Sequence, residues 1–178
     1  MPLTLDGNGD ISGLVAGALP ANVIGAGAVL QVVSNIKTDT FTTTSTSFTD
    51  ITGLSVSITP TSASSKILVM YSLVHGTNPS SFSIVRLVRG STAIAVGDAS
   101  GSRKQITSLS WSGGATNVMN MQSMNFLDSP ATTSSTTYKL QIISDGGHTQ
   151  YINRNARDDD ASYEPRAVST ITVMEIAA

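Results

Sequence analysis

Hydrophobic and polar side chains alternate along most of the chain. Leu54, Val56 and Ile58 share one face of a short stretch whose other face carries hydroxyl side chains, and this period of two is typical of a half-buried β-strand. The stretch 67–74 is apolar on both faces, which indicates a strand that is covered on both sides. No segment repeats its apolar residues every three to four positions, so no amphipathic helix is predicted.

Eight to ten segments are predicted as strands, separated by turn-forming clusters of Gly, Pro, Asn, Asp and Ser. The candidate segments are 29–33, 41–44, 54–59, 67–74, 82–89, 92–96, 118–126, 138–142, 151–153 and 168–176. Abundant Thr, Val and Ile support this assignment, because β-branched side chains fit a pleated sheet. We therefore predict an all-β protein, an antiparallel two-sheet sandwich of jelly-roll type, with a closed barrel as the alternative.

The first 28 residues, in contrast, are rich in glycine and show no regular period. Such a segment cannot form a core of its own, so it is either a flexible leader or an irregular arm that orders against another protein. Its large aliphatic side chains favour the arm, since a free linker does not need them. These candidate docking residues are Leu3, Leu5, Ile11, Leu14, Val15, Leu19, Val23 and Ile24. The predicted boundary therefore separates an anchoring arm (1–28) from a β-sandwich domain (29–178).

The composition excludes several classes of function. Charged residues make up 12% of the chain, about half of the typical ~25%, while 26 serines and 22 threonines supply small hydroxyl groups. The net charge of −2 and the 40% hydrophobic content argue against charge-driven disorder. The absence of cysteine excludes disulfides and thiolate metal or redox sites. Ten basic against twelve acidic residues predict no nucleic-acid partner.

The sequence also carries no signal for a membrane. No stretch approaches the ~20 apolar residues that cross a bilayer, and the first residues lack the basic region and apolar core of a secretory signal. We therefore predict synthesis in the cytoplasm and no membrane insertion.

Two predicted strands carry more large apolar side chains than a single sandwich core can cover. The candidate interface residues are Met70, Met119, Met121, Met124 and Phe126, and leaving them exposed would present an unusually large apolar patch. One interpretation is that loops cover them. The other, which we favour, is that one sheet packs against copies of itself about a symmetry axis in a homo-oligomer.

Residues suited to catalysis or metal binding are sparse. The two histidines, His75 and His148, lie in predicted turns, and no Gly-x-Ser-x-Gly nucleophile motif is present. We therefore predict a non-enzymatic protein without a cofactor. The acidic run 158–160 indicates either a calcium site or salt bridges with the neighbouring arginines, and the salt bridges require nothing beyond the chain itself.

Two aromatic residues are candidate glycan contacts. Trp111 lies in a Ser- and Gly-rich stretch, and Tyr163 lies in a predicted loop. An exposed aromatic ring can stack on a sugar ring, whereas a buried one plugs the end of the sandwich. The sequence leaves both interpretations of Trp111 open.

A series of short motifs follows in a fixed order along the chain. They are VLQVV (29–33), KTDTF (37–41), TSFTDITGL (46–54), RGSTAI (89–94), GD (97–98), FLDSPA (126–131), TTYKLQ (136–141) and VSTITVMEI (168–176). Together they resemble a module that recurs in tailed-bacteriophage virion proteins, especially those of marine and cyanobacterial phages. The opening LTLDGNG (3–9) is similar to the start of phage fibre proteins.

The resemblance implies a trimeric jelly-roll head, similar to complement-type and tumour-necrosis-factor-like globular heads, in a tail-fibre-like or other virion structural protein. The chain lacks a coiled-coil or triple-helical shaft, so the resemblance implies a short tail fibre, a spike or a capsid decoration protein in the virion. The implied partners are other copies of the chain, a tail, baseplate or capsid protein and, as an alternative function, a host surface glycan. The resemblance transfers no catalytic residue.

Overall fold

A computed structural model describes residues 4–5, 11–12, 25–78, 81–111 and 115–178. Eleven strands form two packed antiparallel sheets, and no helix occurs among the described residues. β1 (Thr4–Leu5) and β2 (Ile11–Ser12) form a separate two-stranded pair. The predicted all-β sandwich is thereby confirmed, and the alternative of a closed barrel is wrong.

Each sheet is assembled from distant parts of the chain. Sheet I contains β3 (Val29–Lys37), β4 (Phe41–Thr43), β6 (Lys66–Thr77), β10 (Asn120–Asp128), β12 (Gln150–Ile152) and β13 (Ser169–Ile176). Sheet II contains β5 (Thr49–Ile58), β7 (Phe82–Arg89), β8 (Thr92–Ile94), β9 (Ser108–Trp111) and β11 (Thr136–Ser144).

The eight main strands pair in a nested order. β3 pairs with β13, β5 with β11, β6 with β10, and β7 with β9, so each pair lies inside the previous one along the chain. In sheet I the order is β3-β13-β6-β10, and in sheet II it is β5-β11-β7 with β8 and β9 along the outer edge of β7. Nested pairing across two sheets is the topology of a jelly roll, as predicted.

The core fills the space between the sheets and follows the alternation in the sequence. Leu54, Val56 and Ile58 are buried, while Ser55 and Ser57 between them are exposed. Each fully buried aliphatic side chain contributes about 1.5–3 kcal/mol relative to an exposed one. The core consists of Ile51, Leu54, Val56, Ile58, Ile67, Val69, Tyr71, Leu73, Val85, Leu87, Tyr138, Leu140, Ile142, Ile152, Ile171 and Val173.

Both chain termini of the sandwich lie at one end, which we call the terminal end. Gly27 N donates to Ala177 O over 2.8 Å, directly before β3 and after β13. Ile176 of β13 is paired with the first residue of β6, and Asp128 of β10 is paired with the second. The end of β10 and the two termini therefore lie close together.

The opposite end, which we call the distal end, is where β6 ends and β7 begins. Ser110 of β9 contacts His75 of β6 here across the sandwich. The loop 153–168 leaves from this end as well, because β12 pairs with β6 beyond His75 and β13 begins beside Val74. The two ends are separated by the nine residues of β10, which is about 30 Å.

Candidate functional site

The outer face of sheet I carries an apolar row that crosses four strands. Val32, Met174, Leu68 and Leu127 are cross-strand neighbours in that order, and Val32 and Leu127 are each 54% exposed. Met70 follows Leu68 on the same face of β6. A solvent-facing antiparallel sheet is normally polar on its outer side. This set of four residues, the apolar row, is therefore a candidate contact surface.

The centre of the same face is free of charged side chains among the described residues. Lys66 lies at the terminal border, and at the distal border the guanidinium of Arg154 lies 4.3 Å from the ring centre of Tyr151, the β12 residue paired with Gly76 of β6. Further members of the face are Ser34, Ile36, Met70, Ser72, Val74, Met121, Ser123, Asn125, Thr170, Thr172 and Ile176. On the outer face of sheet II, in contrast, Asp50 accepts hydrogen bonds from Lys139 Nζ and Gln141 Nε2, and Arg86 lies beside them. Because interface centres are depleted of charge, sheet I provides the better candidate.

The structure divides the five predicted interface residues. Met70 and Met121 lie on the outer face of sheet I, and Met121 is 68% exposed. Met124 and Phe126 point inward and pack against the core while remaining half-buried, because β10 is the edge strand of its sheet. Met119 lies half-buried in the segment before β10. The outer face of sheet I therefore contains two of the five, and we assign Met124 and Phe126 to the core.

Trp111 lies in a strand rather than in a loop. It ends β9 opposite Phe82 of β7, and the two ring centroids are 6.3 Å apart. Trp111 is 56% exposed, and Leu109 on the same face of β9 is 47% exposed. The ring therefore does not plug the sandwich. Together with Phe82 and Leu109 it forms an apolar patch at the distal end of sheet II.

Tyr163 lies in the loop 153–168 and is 65% exposed. The guanidinium of Arg157 is 5.7 Å from the centre of its ring, a cation–π distance. Tyr163 and Trp111 are thus both at the distal end of the sandwich. Their predicted role in glycan contact stays a prediction.

Arginines pair with the acidic run in this loop. Asp158 is 3.1 Å from Arg154 and 2.7 Å from Arg166, and Asp159 is 2.6 Å from Arg157. These contacts confirm the salt-bridge interpretation of the run. Within the part of the chain that the structure describes, no group of three or more His, Cys, Asp or Glu side chains could hold a metal ion.

A polar cluster is buried between the sheets at the distal end. Ser110 Oγ lies 2.7 Å from His75 Nε2, and Gln122 Nε2 lies 3.1 Å from the same nitrogen. Gln122 Oε1 accepts a hydrogen bond from Ser108, whose hydroxyl lies 2.9 Å from Tyr71 Oη. Because Gln122 Nε2 can only donate, His75 Nε2 is the acceptor, and the network assigns the ring proton to Nδ1.

The chemistry available to His75 is limited by its burial. Burial lowers the pKa of His75 to about 4, so the ring is neutral at pH 7. Its Nδ1 has no hydrogen-bond partner among the described residues, whereas a serine–histidine–carboxylate triad places an acid at that atom. The hydrogen bond between His75 and Ser110 therefore links β6 to β9. That the protein is non-enzymatic stays a prediction.

The predicted turn position of His75 is wrong, and the polar cluster was missed with it. β6 continues to Thr77, so His75 is a strand residue that points inward. It continues the series Ile67, Val69, Tyr71 and Leu73, all of which are buried. That period of two could have predicted an inward-facing His75 in the strand. The glycine that follows His75 instead led to the prediction of a turn.

The predicted docking residues fall in the least described part of the chain. Leu3, Leu14, Val15, Leu19, Val23 and Ile24 lie outside the described residues. Leu5 and Ile11 are opposite each other in the β1–β2 pair, of which the backbone is described. The anchoring role of the arm and the domain boundary at residue 28 stay predictions.

No family model and no curated protein matches the chain. In the described segments, no helix is long and apolar enough to cross a membrane.

Proposed function

We propose that this protein is a non-enzymatic structural component of a tailed-bacteriophage virion, a homotrimeric short tail fibre or spike head. The observation that carries the proposal is the apolar row from Val32 to Leu127 on the outer face of sheet I, whose charged side chains lie at its borders. Burying this row against other copies of the chain removes it from water. The number of three copies rests on the sequence resemblance to trimeric jelly-roll heads.

The positions of the two ends support an orientation in the virion. Gly27, where the arm joins the sandwich, is at the terminal end, whereas Trp111 and Tyr163 are at the distal end. A head anchored through residues 1–28 to another virion protein would present its distal end outward. The protein would be made in the host cytoplasm and then be incorporated into the particle.

The test is the molar mass of the protein in solution, measured by light scattering after size-exclusion chromatography. We expect three times the 18.4 kDa of one chain. Leu127→Asp should dissociate the trimer, because its carboxylate would be desolvated within the apolar row. Leu109→Asp is the matched control, since Leu109 is a similarly exposed leucine on an edge strand of sheet II. A monomeric wild type, or dissociation by both variants alike, would refute this interface.

A capsid decoration protein is the alternative within the same class. The apolar row supports either location, since both require contacts between protein surfaces. The two differ in copy number, because a decoration protein covers the capsid lattice while a tail fibre is present in few copies. Quantitative mass spectrometry of purified particles against the major capsid protein distinguishes them.

A host polysaccharide-binding module is the second candidate, and the Phe82–Trp111 pair favours it. The exposed indole offers an apolar face on which a sugar ring can stack, and the Phe82 ring lies beside it at 6.3 Å, tilted by 39°. Trp111→Ala should weaken binding to purified host surface polysaccharide severalfold, whereas Trp111→Phe should retain most of it. Equal binding by wild type and Trp111→Ala would remove this candidate.

A further inference from the structure

A pocket of about 320 Å³ opens at the terminal end of the sandwich. It lies between the β7–β8 turn and the loop 129–135 that joins β10 to β11. Its lining consists of Arg89, Gly90, Pro130, Thr132, Ser135, Thr136 and Thr137. These residues supply one guanidinium and four hydroxyl side chains but no carboxylate. The volume is at the lower end of the range for small-molecule sites.

Arg89 is held in place by buried groups behind the pocket. Its Nη1 donates to both carboxylate oxygens of Asp128, at 2.8 Å each. The hydroxyl of Tyr138 donates to the same carboxylate over 2.6 Å. Asp128 is 5% exposed and Tyr138 is fully buried. The guanidinium therefore has a fixed position before any ligand arrives, which reduces the entropic cost of binding.

Much of the guanidinium is left free for a ligand. Nη1 makes the bonds to Asp128 and a further contact of 3.4 Å to the carbonyl oxygen of Ser129. The hydrogen bonds of Arg89 to oxygens of Asp128 and Ser129 all come from Nη1. The guanidinium also interacts with the Tyr138 hydroxyl, and the Arg89 side chain is 29% exposed. A guanidinium edge with free N–H groups matches the geometry of a carboxylate or a phosphate.

Lys66 adds a second positive charge at the rim. Its Nζ donates to Ser129 Oγ over 2.8 Å, so Lys66 and Arg89 both contact Ser129, next to the Pro130 that lines the pocket. Asp128 offsets the charge of Arg89, but no described carboxylate forms an ion pair with Lys66. Lys66 therefore places a positive charge without a described ion-pair partner close to the terminal-end pocket, outside its lining.

The hydroxyl groups of the lining keep hydrogen-bonding capacity. Ser135 Oγ bonds to no other described residue, and Thr132 Oγ1 accepts one bond from Ser134 N. A hydroxyl group has one donor and two acceptor positions, so these groups can bind the hydroxyls of a ligand. We infer that the terminal-end pocket binds an oxyanion-bearing sugar, a sugar acid or a sugar phosphate, with the anion on Arg89.

Titration of the isotopically labelled full chain, followed by amide NMR shifts, tests the inference. The probes are glucuronate, glucose 6-phosphate and neutral glucose, each raised to about 10 mM, where an affinity of a few kcal/mol is detectable. We expect saturable shifts of Gly90, Thr132 and Ser135 with at least one anionic sugar and severalfold weaker shifts with glucose. A response to glucuronate alone identifies the carboxylate as the ligand group, and a response to glucose 6-phosphate alone identifies the phosphate.

Three variants separate binding in the pocket from binding elsewhere. Ser135→Phe fills the pocket and should abolish the shifts, whereas Ser134→Phe, at the exposed neighbour outside the lining, should retain them. Lys66→Gln should weaken binding of the anionic sugars several-fold without altering the Arg89–Asp128 pair. The inference is overturned if no probe shifts these amides, if glucose binds as well as the anions, or if Ser135→Phe binds like wild type while keeping a native spectrum.

Discussion

Ser110 Oγ lies 2.7 Å from His75 Nε2, and this contact joins an edge strand of sheet II to the central strand of sheet I. The imidazole is fully buried, and its burial lowers the pKa of His75 to about 4. Folding therefore brings a neutral histidine into the interior. The stability of the fold depends on that histidine remaining neutral.

Acidification from pH 7 to pH 5 should destabilise the protein through His75. An unfolded histidine titrates near 6.5, so below that pH the unfolded state binds a proton that the folded state does not bind. The loss grows as the pH falls and levels off near pH 4, at about 3 kcal/mol in total. Urea unfolding at the two pH values measures it.

Two substitutions isolate this effect. His75→Gln removes the titrating group, so its free energy of unfolding should change less between pH 7 and pH 5 than that of the wild type. His148→Gln replaces an exposed histidine in the β11–β12 loop and is the control for the same substitution outside the core. Identical pH dependence in wild type and His75→Gln would show that His75 is not the group responsible.

Loss of the Tyr138 hydroxyl at the terminal end should lower the free energy of unfolding more than loss of the Tyr71 hydroxyl in the distal polar cluster. Tyr138 donates to the buried carboxylate of Asp128, and burial followed by the Asp128 contact raises the pKa of Tyr138, so the donor stays protonated. Tyr71 contacts the neutral hydroxyl of Ser108 instead. Tyr138→Phe should cost about 2–3 kcal/mol and Tyr71→Phe about 1 kcal/mol, measured by urea unfolding. A larger loss in Tyr71→Phe would reverse this ranking.

The fold was predictable from the sequence where local alternation determines the strand. Leu54, Val56 and Ile58 show this, since every second residue of this stretch faces the core. The first half of β5 was not predicted because Gly53, with a φ of 86°, interrupts the alternation. Ile51 and Leu54 are both buried although they are three residues apart.

Other features depend on pairing between distant segments, and the sequence does not display it. The four residues of β9 are a strand because they pair with β7, where Trp111 meets Phe82. The inward direction of Met124 and Phe126 likewise follows from the register of β10 on β6. A methionine-rich strand alone does not reveal which of its two faces is covered.

Glu175 should be a major source of stability above acidic pH. Its carboxylate is fully buried and accepts hydrogen bonds from Gln31 Nε2 at 2.6 Å and from Thr61 N and Oγ1 at 2.7 Å each. Burial acts to raise the pKa of Glu175, but hydrogen bonds from Gln31, Thr61 and Ser65 outweigh it, and the pKa lies below the usual 4.5. This stabilisation is therefore present above about pH 4.5 and is lost as the pH falls through the lower folded value.

Replacing Glu175 with Gln tests this assignment. The new amide group would direct N–H donors at the existing donors, so Glu175→Gln should lower the free energy of unfolding by about 2 kcal/mol at pH 7. Thr61→Val removes only the hydroxyl donor and should cost about 1 kcal/mol. Between pH 5 and pH 3 the Glu175→Gln variant should lose less stability than the wild type, and a parallel loss in both would contradict the assignment.

Gly76 has no space for a side chain, and this contact fixes the loop 153–168 against β6. A Cβ atom on Gly76 would lie 2.8 Å from the carbonyl oxygen of Arg154 and 2.9 Å from Cα of Asn155, and neither backbone atom can rotate away. Gly76→Ala should therefore lower the free energy of unfolding by about 2–3 kcal/mol. Gly97→Ala, where an added Cβ has no neighbour within 4 Å, should change it by less than about 0.5 kcal/mol. Equal losses of unfolding free energy for the two variants, measured by urea unfolding, would mean that the loop moves aside for the methyl group. An added methyl group destabilises the protein only if the loop is held firmly against β6.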